Sequence, residues 1–104
     1  MTEAQLQAAI IDAAHIGGWR VAHFRKVQTP GGWRTPVGAD GKGFPDLVLA
    51  HPARGVIFAE LKTDEGQLKP DQRKWRDSLS LADWREWRPS DLDAVKAELI
   101  GRAA

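Results

Sequence analysis

Residues 43–62, GFPDLVLAHPARGVIFAELK, hold two apolar runs separated by a short break containing Pro and Gly, and few folds accommodate that layout. The runs read as the two strands of a hairpin, and HPARG suits a connecting loop of about four or five residues. Side chains alternate faces along a strand, so Glu60 and Lys62 share one face, roughly 6.5–7 Å apart along the strand. With Ala50 opposite Val56, Asp46 falls opposite Glu60, about 5 Å away on the same face. A slip of one residue turns Asp46 to the other side. The in-phase register also gathers Leu47, Leu49, Ile57, Ala59 and Leu61 on the opposite face as a core, and burial of that face is what holds the register.

Two carboxylates at about 5 Å repel, and each resists ionisation unless a cation lies between them. Asp and Glu oxygens, with waters completing the shell, suit Mg²⁺ or Mn²⁺. Lys62 is then placed to orient a nucleophilic water or to offset charge on a phosphate at its transition state. A plainer arrangement uses the same residues: Lys62 pairs with Glu60 at the surface and Asp46 merely begins a strand. The spacing Asp-x13-Glu-x-Lys leaves both open.

At 104 residues the chain is expected to form one domain, residues 1–104, with a single core. A net charge of +1 does not announce a nucleic-acid partner, so any basic surface must be local. The absence of cysteine excludes a disulfide scaffold and thiolate zinc sites. His15, His23 and His51 lack metal-ligand spacing. With no leader pattern and no long apolar run, no membrane association is expected, and the expected location is the cytoplasm.

Along the chain, Thr2 and Gln5 form a capping-box pattern, and Leu6, Ala9, Ile10, Ala13 and Ala14 keep helical spacing up to Gly17-Gly18. Glu3 lies in that helix's first turn, where the helix dipole favours a carboxylate; it is also placed to enter a site. Trp19–Phe24 reads as a strand carrying His23, which is either packed there or part of a site. The stretch KVQTPGGWRTPVGADGKG shows neither helical nor strand periodicity and reads as a long loop. Between positions 20 and 42, Arg20, Arg25, Lys26, Arg34 and Lys42 stand against Asp40 alone. With Trp33 among them, this suits a phosphate backbone and a stacked base; the other reading is a solvated loop whose Trp folds onto the core. Pro70 opens a helix with Gln72, Trp75 and Leu79 on one face, ending near Leu81. Trp84–Arg88 reads as a last strand, and Ser90 as the cap of a last helix containing Leu92, Val95, Leu99 and Ile100. The expected fold class is α/β, a small mixed β-sheet flanked by helices in the order α-β-β-β-α-β-α.

Taken together, GKGFPDLVLA, IFAELK, GQLKPDQRKW and WRPSDLD resemble the VRR-NUC domain (virus-type replication-repair nuclease) of the PD-(D/E)xK nuclease superfamily. The resemblance runs over nearly the whole chain and implies a restriction-endonuclease-like core. Pro45-Asp46 matches the PD element and Glu60-Leu61-Lys62 the ExK element. It implies Asp46, Glu60 and the Leu61 backbone carbonyl as metal ligands and Lys62 as the water-orienting residue. Glu3 matches the family's N-terminal helix glutamate, a further metal ligand, and Gln72 its glutamine on the following helix. The long basic loop is less family-like.

The resulting expectation is a Mg²⁺- or Mn²⁺-dependent endonuclease acting on branched DNA, similar to Holliday-junction resolvases and working as a homodimer. Arg25, Lys26, Arg34, Lys42, Lys69 and Arg73 are expected to grip the DNA backbone. The alternative is a non-catalytic module that binds DNA or a partner protein within a replication or repair assembly.

Overall fold

In a computed structural model, residues 1–24, 27–34 and 38–101 are described. The capping box forms as the sequence predicts. Thr2 N donates to Gln5 Oε1 at 2.9 Å, Gln5 N donates to Thr2 Oγ1 at 3.1 Å, and helix α1 runs Glu3–Ile16. Strand β1 (Arg20–His23) follows, then β4 (Leu47–His51) and β5 (Gly55–Leu61), helix α2 (Pro70–Ser78), strand β6 (Asp83–Trp87) and helix α3 (Leu92–Ile100). The sheet order is β1-β4-β5-β6. β1–β4 and β4–β5 pair antiparallel and β5–β6 parallel, so the sheet is mixed. A parallel pair needs a crossover, and α2 supplies it.

The hairpin register is the one parity requires: Ala50 pairs with Val56, and the ladder runs one step further, to His51–Gly55. The loop is therefore shorter than the expected five residues. It closes through Gly55 at φ 88°, a backbone conformation that a residue with a Cβ adopts only with strain. Leu47, Leu49, Ile57, Ala59 and Leu61 are all buried on one face, against Leu6 and Ile10 of α1 and Val95 and Leu99 of α3. Trp19 and Trp87 belong to this core, with Trp19 Nε1 donating to the Leu99 carbonyl at 2.9 Å. Phe58, Glu60 and Lys62 consequently point to the other face, where α2 lies.

Several sequence expectations differ from what forms. Within the stretch read as loop, β2 (Val27–Thr29) and β3 (Gly32–Arg34) pair as a separate two-stranded hairpin. Each strand has three residues around a Pro-Gly turn, too few for alternation to register. Helix α2 ends at Ser78 rather than near Leu81, and Leu81 is fully exposed. The last helix begins at Leu92 after a 3₁₀ turn at Pro89–Asp91, so Asp91 rather than Ser90 occupies its cap position. The Asp91 carboxylate accepts from Arg88 N at 2.9 Å, closing that turn.

Candidate active site

The junction of β4 and β5 positions the acidic pair. Continuing the Leu47–Ala59 register one step brings Asp46 opposite Glu60, and their carboxyl groups lie within hydrogen-bonding reach. Asp46 Oδ2 also accepts from the backbone N–H of Leu61 at 2.8 Å, replacing a ladder bond just where β4 has not yet begun. The N–H and C=O of one strand residue point to the same side. The Leu61 carbonyl therefore looks toward the same edge as Asp46.

Glu60 is 2 % exposed and Lys62 7 %, the two buried charged residues of the described chain. Burial, and after it the Asp46 carboxylate, push the Glu60 carboxyl from its ordinary 4.5 up to about 9; Lys62 pulls the other way and Glu3 adds to the rise. Charge at Glu60 is thus short of a compensating cation, and every nearby donor is a hard oxygen. That fits Mg²⁺ or Mn²⁺ at Asp46, Glu60 and the Leu61 carbonyl. Glu3 is exposed and shares with Ala4, Gln7, Phe24, Asp46 and Leu61 the wall of a cavity of about 200 Å³. Among the described residues no three His, Asp or Glu side chains draw together as a metal-holding group. Glu3 stands at the rim of a two-carboxylate site.

Gln72, in the first turn of α2, completes the surroundings of Glu60. Its Oε1 accepts from Lys69 N at 2.8 Å and its Nε2 donates to Glu60 Oε1 at 3.1 Å. Reversing the amide would set its NH2 against the Lys69 N–H. Helical spacing placed Gln72 on the face that turns toward the sheet.

Beyond Lys62, Arg88 fixes the chain. Its Nη1 donates to the carbonyls of Thr63 at 2.6 Å and Asp64 at 3.3 Å, while its Nε donates to Glu86 at 2.9 Å. Nothing in the local sequence announced this brace, because it joins residues 24 and 25 positions apart.

The expected DNA-contacting residues divide. Lys42, Lys69 and Arg73 are exposed around the N-terminal end of α2. Lys42 Nζ lies 3.5 Å from Asp71 Oδ2, and Arg73 Nη1 donates to the Leu68 carbonyl at 2.6 Å. Arg25 and Lys26 lie outside the described residues, as do the side chains of Arg34 and Trp33. His23 ends β1 opposite Leu47 and is exposed at the sheet edge. A larger concavity, about 580 Å³, opens on the other flank of α2 between Asp40, Lys42, Lys74 and Trp75.

No helix among the described residues is long and apolar enough to cross a membrane. No curated protein sequence matches the chain. A solved structure described as a VRR_NUC domain superposes with a TM-score of 0.61 at 21 % identity, covering 89 % of this chain and 91 % of the other. That likeness shows the fold. The family model for the VRR-NUC domain matches residues 33–86, more than half of the chain and a span that includes Asp46, Glu60, Lys62 and Gln72. By fold and by family model, the chain belongs to the VRR-NUC domain family, whose fold is of the nuclease type.

Proposed function

We propose that this protein is a Mg²⁺- or Mn²⁺-dependent endodeoxyribonuclease that hydrolyses phosphodiester bonds in branched DNA, acting as a homodimer. The observation that carries the reading is the pair of half-buried Asp46 and buried Glu60, with buried Lys62 two residues beyond Glu60, just past the end of β5. Asp46, Glu60 and the Leu61 carbonyl would hold the cation, with Glu3 reaching it from the rim. A dication there supplies a Lewis acid that lowers the pKa of water and neutralises charge on the phosphate.

The chain's own residues do the rest. Gln72 keeps one Glu60 oxygen engaged and so fixes the plane of the carboxylate. Lys62, held in the protein, directs the attacking water at phosphorus; its oxygen bonds to phosphorus as one P–O ester bond breaks, and the leaving oxygen takes up a proton. Lys42, Lys69 and Arg73, exposed around the N-terminal end of α2, would neutralise backbone phosphates. Homodimerisation supplies the two symmetric cuts a four-way junction needs.

The test is incubation with Mg²⁺ or Mn²⁺ and four-way junction, flap, nicked, duplex and single-stranded DNA. Cleavage of junctions ahead of linear duplex supports the reading. DNA binding that is salt-sensitive but indifferent to metal, with no cleavage of any substrate, would instead support the non-catalytic binding module.

A further inference from the structure

We propose that Gly43 and Phe44 are positioning residues, which clasp the first turn of α2 to the sheet so that Gln72 holds the Glu60 carboxylate. The proposal rests on the nuclease reading for its consequence and on packing for its geometry. Helix α2 has no fully buried residue, so its height above the sheet depends on what its half-buried Trp75 and its first turn meet. Among the described residues, its attachments besides the Gln72–Glu60 bond come from the segment at residues 40–44. The Asp40 carbonyl accepts from Trp75 Nε1 at 3.0 Å. The Phe44 ring meets Trp75 edge-on at 4.9 Å between centroids, Phe58 at 6.1 Å and Phe24 at 5.5 Å, linking α2 to the sheet and to the end of β1.

Gly43 sets the distance. Its φ is 82°, and a Cβ added there would lie 2.6 Å from the Asp71 carbonyl carbon and 2.8 Å from Gln72 N. Those neighbours are backbone atoms, with no flexible side chain to yield. Restoring an ordinary contact of about 3.5 Å moves the turn by about 1 Å. The Gln72–Glu60 bond at 3.1 Å does not survive such a shift. Three residues further on, the same segment delivers Asp46. One short stretch thus supplies one neighbour of Glu60 directly and places the other through α2.

The test compares wild type with Gly43→Ala, Gln72→Ala, the double variant, and Val95→Ala as a destabilised control remote from the site. Two readouts are taken: the side-chain amide resonance of Gln72 in ¹⁵N-labelled, metal-free protein, and single-turnover cleavage of a junction. The expected result for Gly43→Ala is a Gln72 resonance moved to that of an unbonded glutamine. Its maximal single-turnover rate should fall about ten- to a hundredfold with the half-saturating protein concentration within about twofold. On the Gln72→Ala background the glycine substitution should add little, because both remove one interaction. If Gly43→Ala does not fold, Phe44→Leu carries the same comparison. An unchanged Gln72 resonance, a fully additive double variant, or an equal loss of single-turnover rate in Val95→Ala would overturn the clasp. Wild type that cuts nothing counts against the nuclease reading alone, since the resonance still decides the clasp.

Discussion

Asp46 accepts a hydrogen bond from the Leu61 amide at 2.8 Å while its carboxyl group also lies against that of Glu60. The residue is therefore both a structural acceptor and half of an acidic pair, and two substitutions separate the roles. Asp46→Asn keeps an acceptor for Leu61 and removes a charge. It should fold, melt no lower than wild type in EDTA, and lose cleavage by at least about a hundredfold. Asp46→Ala leaves the Leu61 N–H unpaired and should cost about 1–3 kcal/mol in denaturant unfolding.

A raised Glu60 predicts how stability follows pH. The folded metal-free protein keeps a proton that the unfolded chain releases near 4.5, so stability is fully present below that pH. It falls as pH rises toward about 9. Melting in EDTA from pH 5 to 9 should show this decline, and Glu60→Gln should flatten it. Added Mg²⁺ or Mn²⁺ competes with the proton, so its stabilising effect should grow with pH.

Much of this site was legible in the sequence, because strand parity is a strict rule. Once Leu47, Leu49, Ile57, Ala59 and Leu61 had to share a buried face, Asp46 and Glu60 had to share the other. Helical spacing after Pro70 put Gln72 on one face with Trp75, and its place in the site came from the resemblance to the VRR-NUC domain. What the sequence did not carry depends on distant neighbours or very short elements. The strands β2 and β3 are too brief to show alternation, the parallel alignment of β6 has no local signal, and the contact of Gly43 with α2 exists only once the sheet and helix meet. Nor does local pattern show that Trp19 and Trp87 are core residues.

Arg88 braces the chain that follows Lys62. Arg88→Lys retains the charge but loses the planar fork that reaches Glu86 and Thr63 together. It should lower the melting temperature and increase proteolysis at positions 63–65, with Arg88→Ala more severe. Limited proteolysis followed by mass spectrometry locates the cuts.

Lys42, Lys69 and Arg73 are exposed at the end of α2 and make only weak or local contacts. Replacing each by Gln should weaken DNA binding about equally for all sequences. Each should lower the slope of log K against log salt by about one. Fluorescence anisotropy across a salt series measures both, and thermal stability should change by less than about 0.5 kcal/mol.

The most direct test is single-turnover cleavage of a four-way junction at increasing Mg²⁺ or Mn²⁺, comparing wild type with Glu60→Gln and Lys62→Ala after each is shown to be folded. The account predicts saturable, metal-dependent cutting by wild type and loss of about a hundredfold or more in both variants. Cutting that survives EDTA, or variants that cut as fast as wild type, would contradict it.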